Sequence, residues 1–115
     1  EAEAAGVKDK VGFLAGQSRQ ELLRWYATAD VFIMLSTAEA YGITVAEALT
    51  AEVPCIVARG SALEEFGGDS CKVIDVPVGG EKLAELIKEA QFKGMPKNVL
   101  DWDEVAGRVL KAYGE

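Results

Sequence analysis

The chain has 115 residues, half of them hydrophobic, and its 12 basic and 19 acidic residues give a formal net charge of -7. This length is enough for one domain with a modest core. The acidic balance argues against binding to nucleic acids or anionic membranes, since both need a basic surface. Because the chain has no histidine, it contains neither a Ser-His-Asp triad nor a histidine metal site.

The two cysteines, Cys55 and Cys71, lie in apolar runs without Cys-x-x-Cys spacing. We expect two reduced, buried thiols, because free cysteine is among the most buried residue types. No apolar run approaches the roughly 20 residues that a membrane-spanning helix needs. The acidic first residues lack the apolar segment of a signal peptide, which predicts a cytoplasmic location.

In chain order, short apolar runs alternate with amphipathic segments. Strands are predicted at residues 11–14, 31–35, 54–58 and 72–76. Between and after them, Ser18 and Glu21 form a capping-box pattern at the start of a first helix, and a second helix is predicted from residue 42 to about 51. Ser61 is predicted to cap a short helix, Leu83 and Leu86 mark a further helix, and Asp101 is predicted to cap the last one.

This alternation is typical of right-handed crossovers between parallel strands. The predicted fold is α/β: a Rossmann-like three-layer structure with about four parallel strands and helices on both faces. Residues 1–115 form a single domain in this interpretation. Four strands in so short a chain resemble half of a doubly wound domain.

The predicted strand 31–35 leads directly into a loop and helix that carry two glutamates, Glu39 and Glu47. Ligands of open parallel sheets bind beyond the carboxyl ends of the strands. Gly42 permits a close backbone approach at the helix start, where free N–H groups and the helix dipole favour an anion. A phosphate or sugar oxygen is therefore expected at the amides of Tyr41, Gly42 and Ile43.

The two carboxylates suggest different ligands. Glu39 would repel a phosphate, so it suits sugar hydroxyls or an oxocarbenium-like transition state. Glu47 lies among apolar neighbours and needs hydrogen-bond partners, which the hydroxyls of a ribose would supply. Simpler explanations remain open: Glu39 as an acid that complements the helix dipole, Glu47 as a partly exposed residue, and Glu64 as the partner of Ser61 in a capping box.

The segment from residue 36 to 49 resembles the Glu-x7-Glu signature of family 4 retaining glycosyltransferases. The residues in register are Glu39, Tyr41, Gly42, Glu47 and Ala48. Further similarity runs through residues 11–16, 26–32 and 54–57, Glu64 and the closing helix with Trp102, so it covers essentially the whole chain. The resemblance implies part of the C-terminal donor-binding domain of a GT-B fold enzyme.

The resemblance also implies roles for individual residues. Glu39 would be catalytic and contact the donor sugar, and Glu47 would bind the ribose. The donor sugar and phosphate would be bound by Ala40, Tyr41, Gly42 and Ile43, and the residues near the base would be Gly16 and Gln17. The donor would be a nucleotide-diphosphate sugar such as a UDP-, ADP- or GDP-sugar, used without a metal or other cofactor for hexosyl transfer.

Four features depart from the family pattern. The basic pair that grips the diphosphate and the N-terminal acceptor domain both lie upstream in the family and are missing from this chain. The glycine expected after the motif helix is Glu52, which would cost about 1–2 kcal/mol if this position has positive φ. Ala40 replaces a glycine. These departures predict a donor-binding fragment that is inactive alone and needs the acceptor domain or a partner chain.

Two other interpretations remain open. In the first, the chain is a non-catalytic α/β module that self-associates along an open sheet edge, or complements a partner chain. In the second, it is another nucleotide-sugar enzyme of similar fold, such as an epimerase.

Overall fold

A computed structural model of the chain describes residues 1–96, 99 and 101–114, apart from the side chain of Trp102. Its helices are α1 (Arg19–Thr28), α2 (Ile43–Thr50), α3 (Gly80–Glu89) and α4 (Trp102–Ala112). Its strands are β1 (Phe32–Met34), β2 (Cys55–Ala58) and β3 (Cys71–Ile74). Two 3-10 helices cover Lys8–Lys10 and Ala62–Phe66.

The three strands form one parallel sheet in the order β1-β2-β3. Phe32 pairs with Cys55 in the register, and Cys55 pairs in turn with Cys71. All four residues of β2 are buried, which explains its continuous apolar sequence: a strand in the middle of a parallel sheet is covered on both faces. The parallel sheet predicted from the sequence is confirmed.

Successive side chains of each strand enter two different cores, as the two-residue period of a strand requires. On one face, Phe32, Cys55 and Val57 pack with side chains of α1 and α2, including Tyr26 and Leu49. On the other face the strand side chains pack with Leu83 and Leu86 of α3, and the members from the strands are Ile33, Ile56 and Ile74. The predicted three-layer arrangement with helices on both faces is therefore confirmed.

The prediction of a first strand at residues 11–14 is wrong. In the described part of the chain this segment joins no ladder, and the side chains of Phe13 and Leu14 are 91% and 56% exposed. A strand needs a neighbouring strand to satisfy its N–H and C=O groups. The apolar pattern of a single segment does not show whether such a neighbour exists. The described sheet accordingly has three strands, not four.

The predicted helix caps are confirmed at two helix starts and altered at a third. Ser18 Oγ accepts from the Glu21 N–H at 3.2 Å, while Glu21 Oε2 accepts from the Ser18 N–H at 2.8 Å. Asp101 forms the same reciprocal box with Glu104. Ser61 does cap its 3-10 helix, but by accepting from the Leu63 N–H at 3.2 Å, so no capping box with Glu64 forms there.

Both thiols are free and buried, as the sequence predicts. Burial raises the pKa of Cys55 to about 12, with a smaller contribution from the nearby Cys71, and raises that of Cys71 to about 11. Because the thiolate is the reactive form, these protonated thiols act as apolar core residues at neutral pH.

Helix α2 ends in a Schellman motif at Glu52. The Glu52 N–H donates to the Leu49 carbonyl at 3.0 Å, and the Val53 N–H donates to the Ala48 carbonyl at 2.9 Å. This pattern places its central residue in the left-handed region, which favours glycine. Glu52 has a φ of 61°, so the positive φ considered from the sequence is present.

Replacing this residue by glycine, Glu52→Gly, is expected to raise the free energy of unfolding by about 1 kcal/mol, because the left-handed strain of a side chain is removed. Urea denaturation followed by circular dichroism measures the change. The matched control is Ala51→Gly at the preceding residue, whose φ is -81° and where glycine should destabilise slightly. A loss of stability from Glu52→Gly similar to that of the control would contradict the expectation.

Candidate functional site

The predicted site lies where β1 ends and α2 begins. Strand β1 stops at Met34, and the following loop reaches Gly42, the N-cap residue of α2. Gly42 has a φ of 90° and provides no side-chain cap. The first N–H groups of a helix lack intrahelical acceptors. In α2 the Val45 N–H already donates to the Gly42 carbonyl at 3.1 Å, so the N–H groups that precede it are the ones that a ligand could use, together with the positive end of the helix dipole.

The 3-10 helix Ala62–Phe66 holds this loop in place. The Ala62 N–H donates to the Glu39 carbonyl at 3.2 Å, and the Tyr41 ring meets the Phe66 ring edge-on, with centroids 5.7 Å apart. A Cβ on Gly42 would collide with the Leu63 side chain and lie 3.3 Å from Phe66. The glycine thus provides both the backbone conformation and the space that this packing needs.

The loop forms an open depression of about 370 Å³. Its lining consists of Met34, Glu39, Ala40, Tyr41, Gly42, Ile43 and Thr44. The residues predicted to bind the donor sugar and phosphate are thereby brought together with Glu39. Glu47 does not line this depression, because it lies one helical turn further along α2.

Glu47 has a partner that the sequence analysis missed. Arg19 Nη1 donates to Glu47 Oε1 at 2.9 Å, and the Glu47 side chain is 17% exposed, against 71% for that of Arg19. Tyr26, which is buried, lies beside the same carboxylate: burial raises the pKa of the Tyr26 phenol, and the charge of Glu47 raises it further. The hydrogen-bond partners expected for Glu47 are therefore provided at least in part by α1.

The two residues predicted to lie near the base, Gly16 and Gln17, immediately precede α1. Gly16 has a φ of 64°, and Gln17 Oε1 accepts from the indole N–H of Trp25 at 3.1 Å. Trp25 follows Arg19 by six residues, which is a rotation of about 240° around the helix. The Gln17 amide and the Arg19 guanidinium are therefore directed to different faces of α1.

A second charged cluster, also missed from the sequence, lies at the carboxyl ends of β2 and β3. Arg59 Nε donates to Asp75 Oδ1 at 2.8 Å, and Arg59 Nη1 donates to Glu64 Oε1 at 3.2 Å. The hydrogen bond and charge of Asp75, followed by those of Glu64, raise the pKa of the Arg59 guanidinium. The Glu64 carboxylate is thus paired with Arg59 rather than with the Ser61 N–H.

Across residues 1–96, 99 and 101–114, no group of three histidine, cysteine or acidic side chains is placed to hold a metal ion. Within the same described part of the chain, every helix is too short or too polar to cross a membrane.

The substitution Gly42→Ala is expected to lower the free energy of unfolding by about 2–4 kcal/mol, because it combines positive-φ strain with overpacking against Leu63. Chemical denaturation measures this loss. Gly12→Ala is the control, since a Cβ at Gly12 has no neighbour within 4 Å and should change stability by less than about 0.5 kcal/mol. Equal effects of the two substitutions would show that the packing at Gly42 is not constrained as described.

Comparison with known proteins gives a consistent set of relatives. The family described as Glycosyl transferases group 1 matches residues 1–91. A D-inositol 3-phosphate glycosyltransferase of Mycobacteroides abscessus is 27% identical over 119 aligned positions, which cover 95% of this chain and 27% of that protein. Its counterpart in Mycolicibacterium smegmatis is 35% identical over 62 residues, 54% of this chain and 14% of that protein.

An N-acetyl-alpha-D-glucosaminyl L-malate synthase of Bacillus anthracis is 32% identical over 92 residues, 75% of this chain and 23% of that protein. The chain thus spans about a quarter or less of the length of these curated relatives. The family match itself extends over most of the 115 residues and includes the whole loop from Glu39 to Glu47. The chain belongs to the glycosyl transferases group 1 family.

Proposed function

We propose that this chain is the donor-binding part of a retaining, family 4 glycosyltransferase that transfers a hexosyl group from a nucleotide-diphosphate sugar. The observation that carries the proposal is the depression at the start of α2, where Glu39 and the backbone of residues 40–43 meet. Open amide N–H groups at a helix start suit a phosphate, and the adjoining carboxylate suits sugar hydroxyls. Family membership supports glycosyl transfer as the reaction.

In this proposal each residue has a distinct task. Glu39 contacts the donor sugar near the reacting carbon, where its negative charge stabilises an oxocarbenium-like transition state. The amides from Ala40 to Ile43 bind the sugar and the distal phosphate, and Glu47 accepts hydrogen bonds from the ribose. Gly16 and Gln17 lie near the base. The helix dipole stabilises the leaving diphosphate, so the reaction needs no metal.

The proposal assigns the remaining parts of the reaction to groups outside this chain. The chain spans about a quarter or less of its curated relatives, and an acceptor domain or a partner chain would present the acceptor and complete the grip on the diphosphate. The isolated chain is therefore proposed to bind the donor without transferring sugar. The reaction is placed in the cytoplasm, with no role for nucleic acid.

Titration of the ¹⁵N-labelled chain with UDP, ADP or GDP tests the proposal. One of these nucleotides is expected to shift the amide resonances of Tyr41, Gly42 and Ile43 at millimolar concentration or below, because these N–H groups would bind its terminal phosphate. Glu47→Gln should weaken that binding about tenfold, since the ribose hydroxyls would lose a charged acceptor.

The matched control is Glu85→Gln, at an exposed residue of α3 that pairs with Lys82 at 3.6 Å. This variant should bind as the unaltered chain does. Shifts confined to other regions, or none at millimolar nucleotide, would count against the proposed site.

A second candidate function, an interaction module, is favoured by the open edge of the sheet. In the described residues β1 pairs only with β2. Phe13, in the segment before α1, is 91% exposed. Unpaired strand edges are templates for association, so a homo-oligomer or a complex with a partner chain would form there.

Sedimentation equilibrium tests this candidate. A module that self-associates along β1 should form dimers at micromolar to millimolar concentration, and Ile33→Pro should abolish them, because proline removes a backbone donor from the strand. Phe13→Ser separates an effect of the exposed apolar side chain from one of the strand edge. A folded chain that remains monomeric at high concentration would rule out self-association.

A further inference from the structure

Arg19 is an exposed cation held against a largely buried acid. Its guanidinium donates to Glu47 at 2.9 Å, although 71% of the Arg19 side chain remains exposed. Ion pairs with such exposed partners contribute little to folding stability. The ion pair therefore adds little to folding stability. Its main effect is on the orientation of the Glu47 carboxylate.

The spacing of α1 brings a second group to the same carboxylate. Tyr26 follows Arg19 by seven residues, which is close to two full turns, so both side chains lie on one face of α1. Helix α1 packs against α2, and the Glu47 charge acts on the phenol of Tyr26. Two polar side chains of α1 thus surround one carboxylate of α2.

This arrangement leaves acceptor capacity on Glu47. An ionised carboxylate has two oxygens with about four acceptor positions and no donor. The hydrogen bonds from Arg19 and from the Tyr26 hydroxyl use two of them, and the exposure of 17% gives the carboxylate access to solvent. A ligand that pairs with it must therefore provide donors, and two adjacent hydroxyls match an oriented carboxylate well.

We infer that Arg19 is a positioning residue, which, together with Tyr26, orients Glu47 to accept hydrogen bonds from the 2′- and 3′-hydroxyls of a ribose. The inference rests on the proposed nucleotide site and adds a specificity to it. The arginine keeps the carboxylate in one orientation before the ligand arrives, so less ordering is needed on binding. The site then selects ribonucleotides over nucleotides that lack these hydroxyls.

Isothermal titration calorimetry tests the inference with the nucleoside diphosphate that binds best among UDP, ADP and GDP, and with its 2′,3′-dideoxy counterpart. The unaltered chain should prefer the ribonucleotide. Arg19→Gln should weaken ribonucleotide binding about threefold to tenfold while leaving dideoxynucleotide binding unchanged. Arg108→Gln, the same substitution at an exposed residue of α4, should change neither affinity.

A double-mutant cycle shows whether Arg19 acts through Glu47. In a Glu47→Gln background, Arg19→Gln should cause no further loss of ribonucleotide affinity. Thermal unfolding of each variant should give a midpoint within a few degrees of the unaltered chain, since the Arg19 side chain is 71% exposed and glutamine keeps the size and hydrogen-bonding capacity of Glu47.

The outcomes distinguish failure of the proposed nucleotide site from failure of the positioning role of Arg19. If the unaltered chain binds none of the diphosphates, the proposed function fails and the inference fails with it. If it binds and Glu47→Gln weakens binding, the inference alone is overturned by an Arg19→Gln variant that binds like the unaltered chain. It is also overturned if Arg19→Gln weakens both nucleotides equally, or if its effect persists in the Glu47→Gln background.

Discussion

The backbone of Gly42 lies directly against the side chains of Leu63 and Phe66, and the geometry of the candidate site depends on this contact. No residue with a Cβ fits there without displacing the Leu63 side chain. The contact fixes the start of α2 relative to the 3-10 helix that follows β2. Because Leu63 and Phe66 are themselves fully buried, the loop that carries Glu39 is attached to the core rather than to the surface.

The parallel strands bring further segments to the same end of the sheet as the Glu39 loop. Strands β1, β2 and β3 run in the same direction, so the segments that follow them emerge on one side of the sheet. Arg59 and Asp75 directly follow β2 and β3, and their pairing links those two ends. Among the described residues, no ion pair links the Glu39 loop to these two strand ends, which is consistent with a role in ligand binding.

The sequence predicted those elements whose burial is decided locally. The apolar runs at residues 31–35 and 54–58 contain β1 and β2, and the run at 72–76 overlaps β3, which begins one residue earlier, at Cys71. The Ser18 capping box lies within four residues of chain. The segment 11–14 has an equally apolar pattern, but a strand also requires a partner, which no local pattern reveals. Arg19 and Glu47 are 28 residues apart, so their contact depends on how α1 packs against α2 and could not be predicted from spacing.

The two glutamates differ in their charge environment, and this difference supports the distinct tasks proposed for them. The charge of Glu47 is balanced by Arg19, so in the proposed site it would act mainly as an oriented acceptor for neutral hydroxyls. Among the described residues, no cation pairs with the Glu39 carboxylate, and its charge remains available to a cation that develops on the sugar. The net charge of -7 weakens the proposed binding of a diphosphate only slightly, because exposed charges are largely screened beyond about 8 Å at physiological salt. In the proposed site, backbone amides at the start of α2 would contact the diphosphate, while the nearby carboxylates of Glu47 and Glu64 are paired with Arg19 and Arg59.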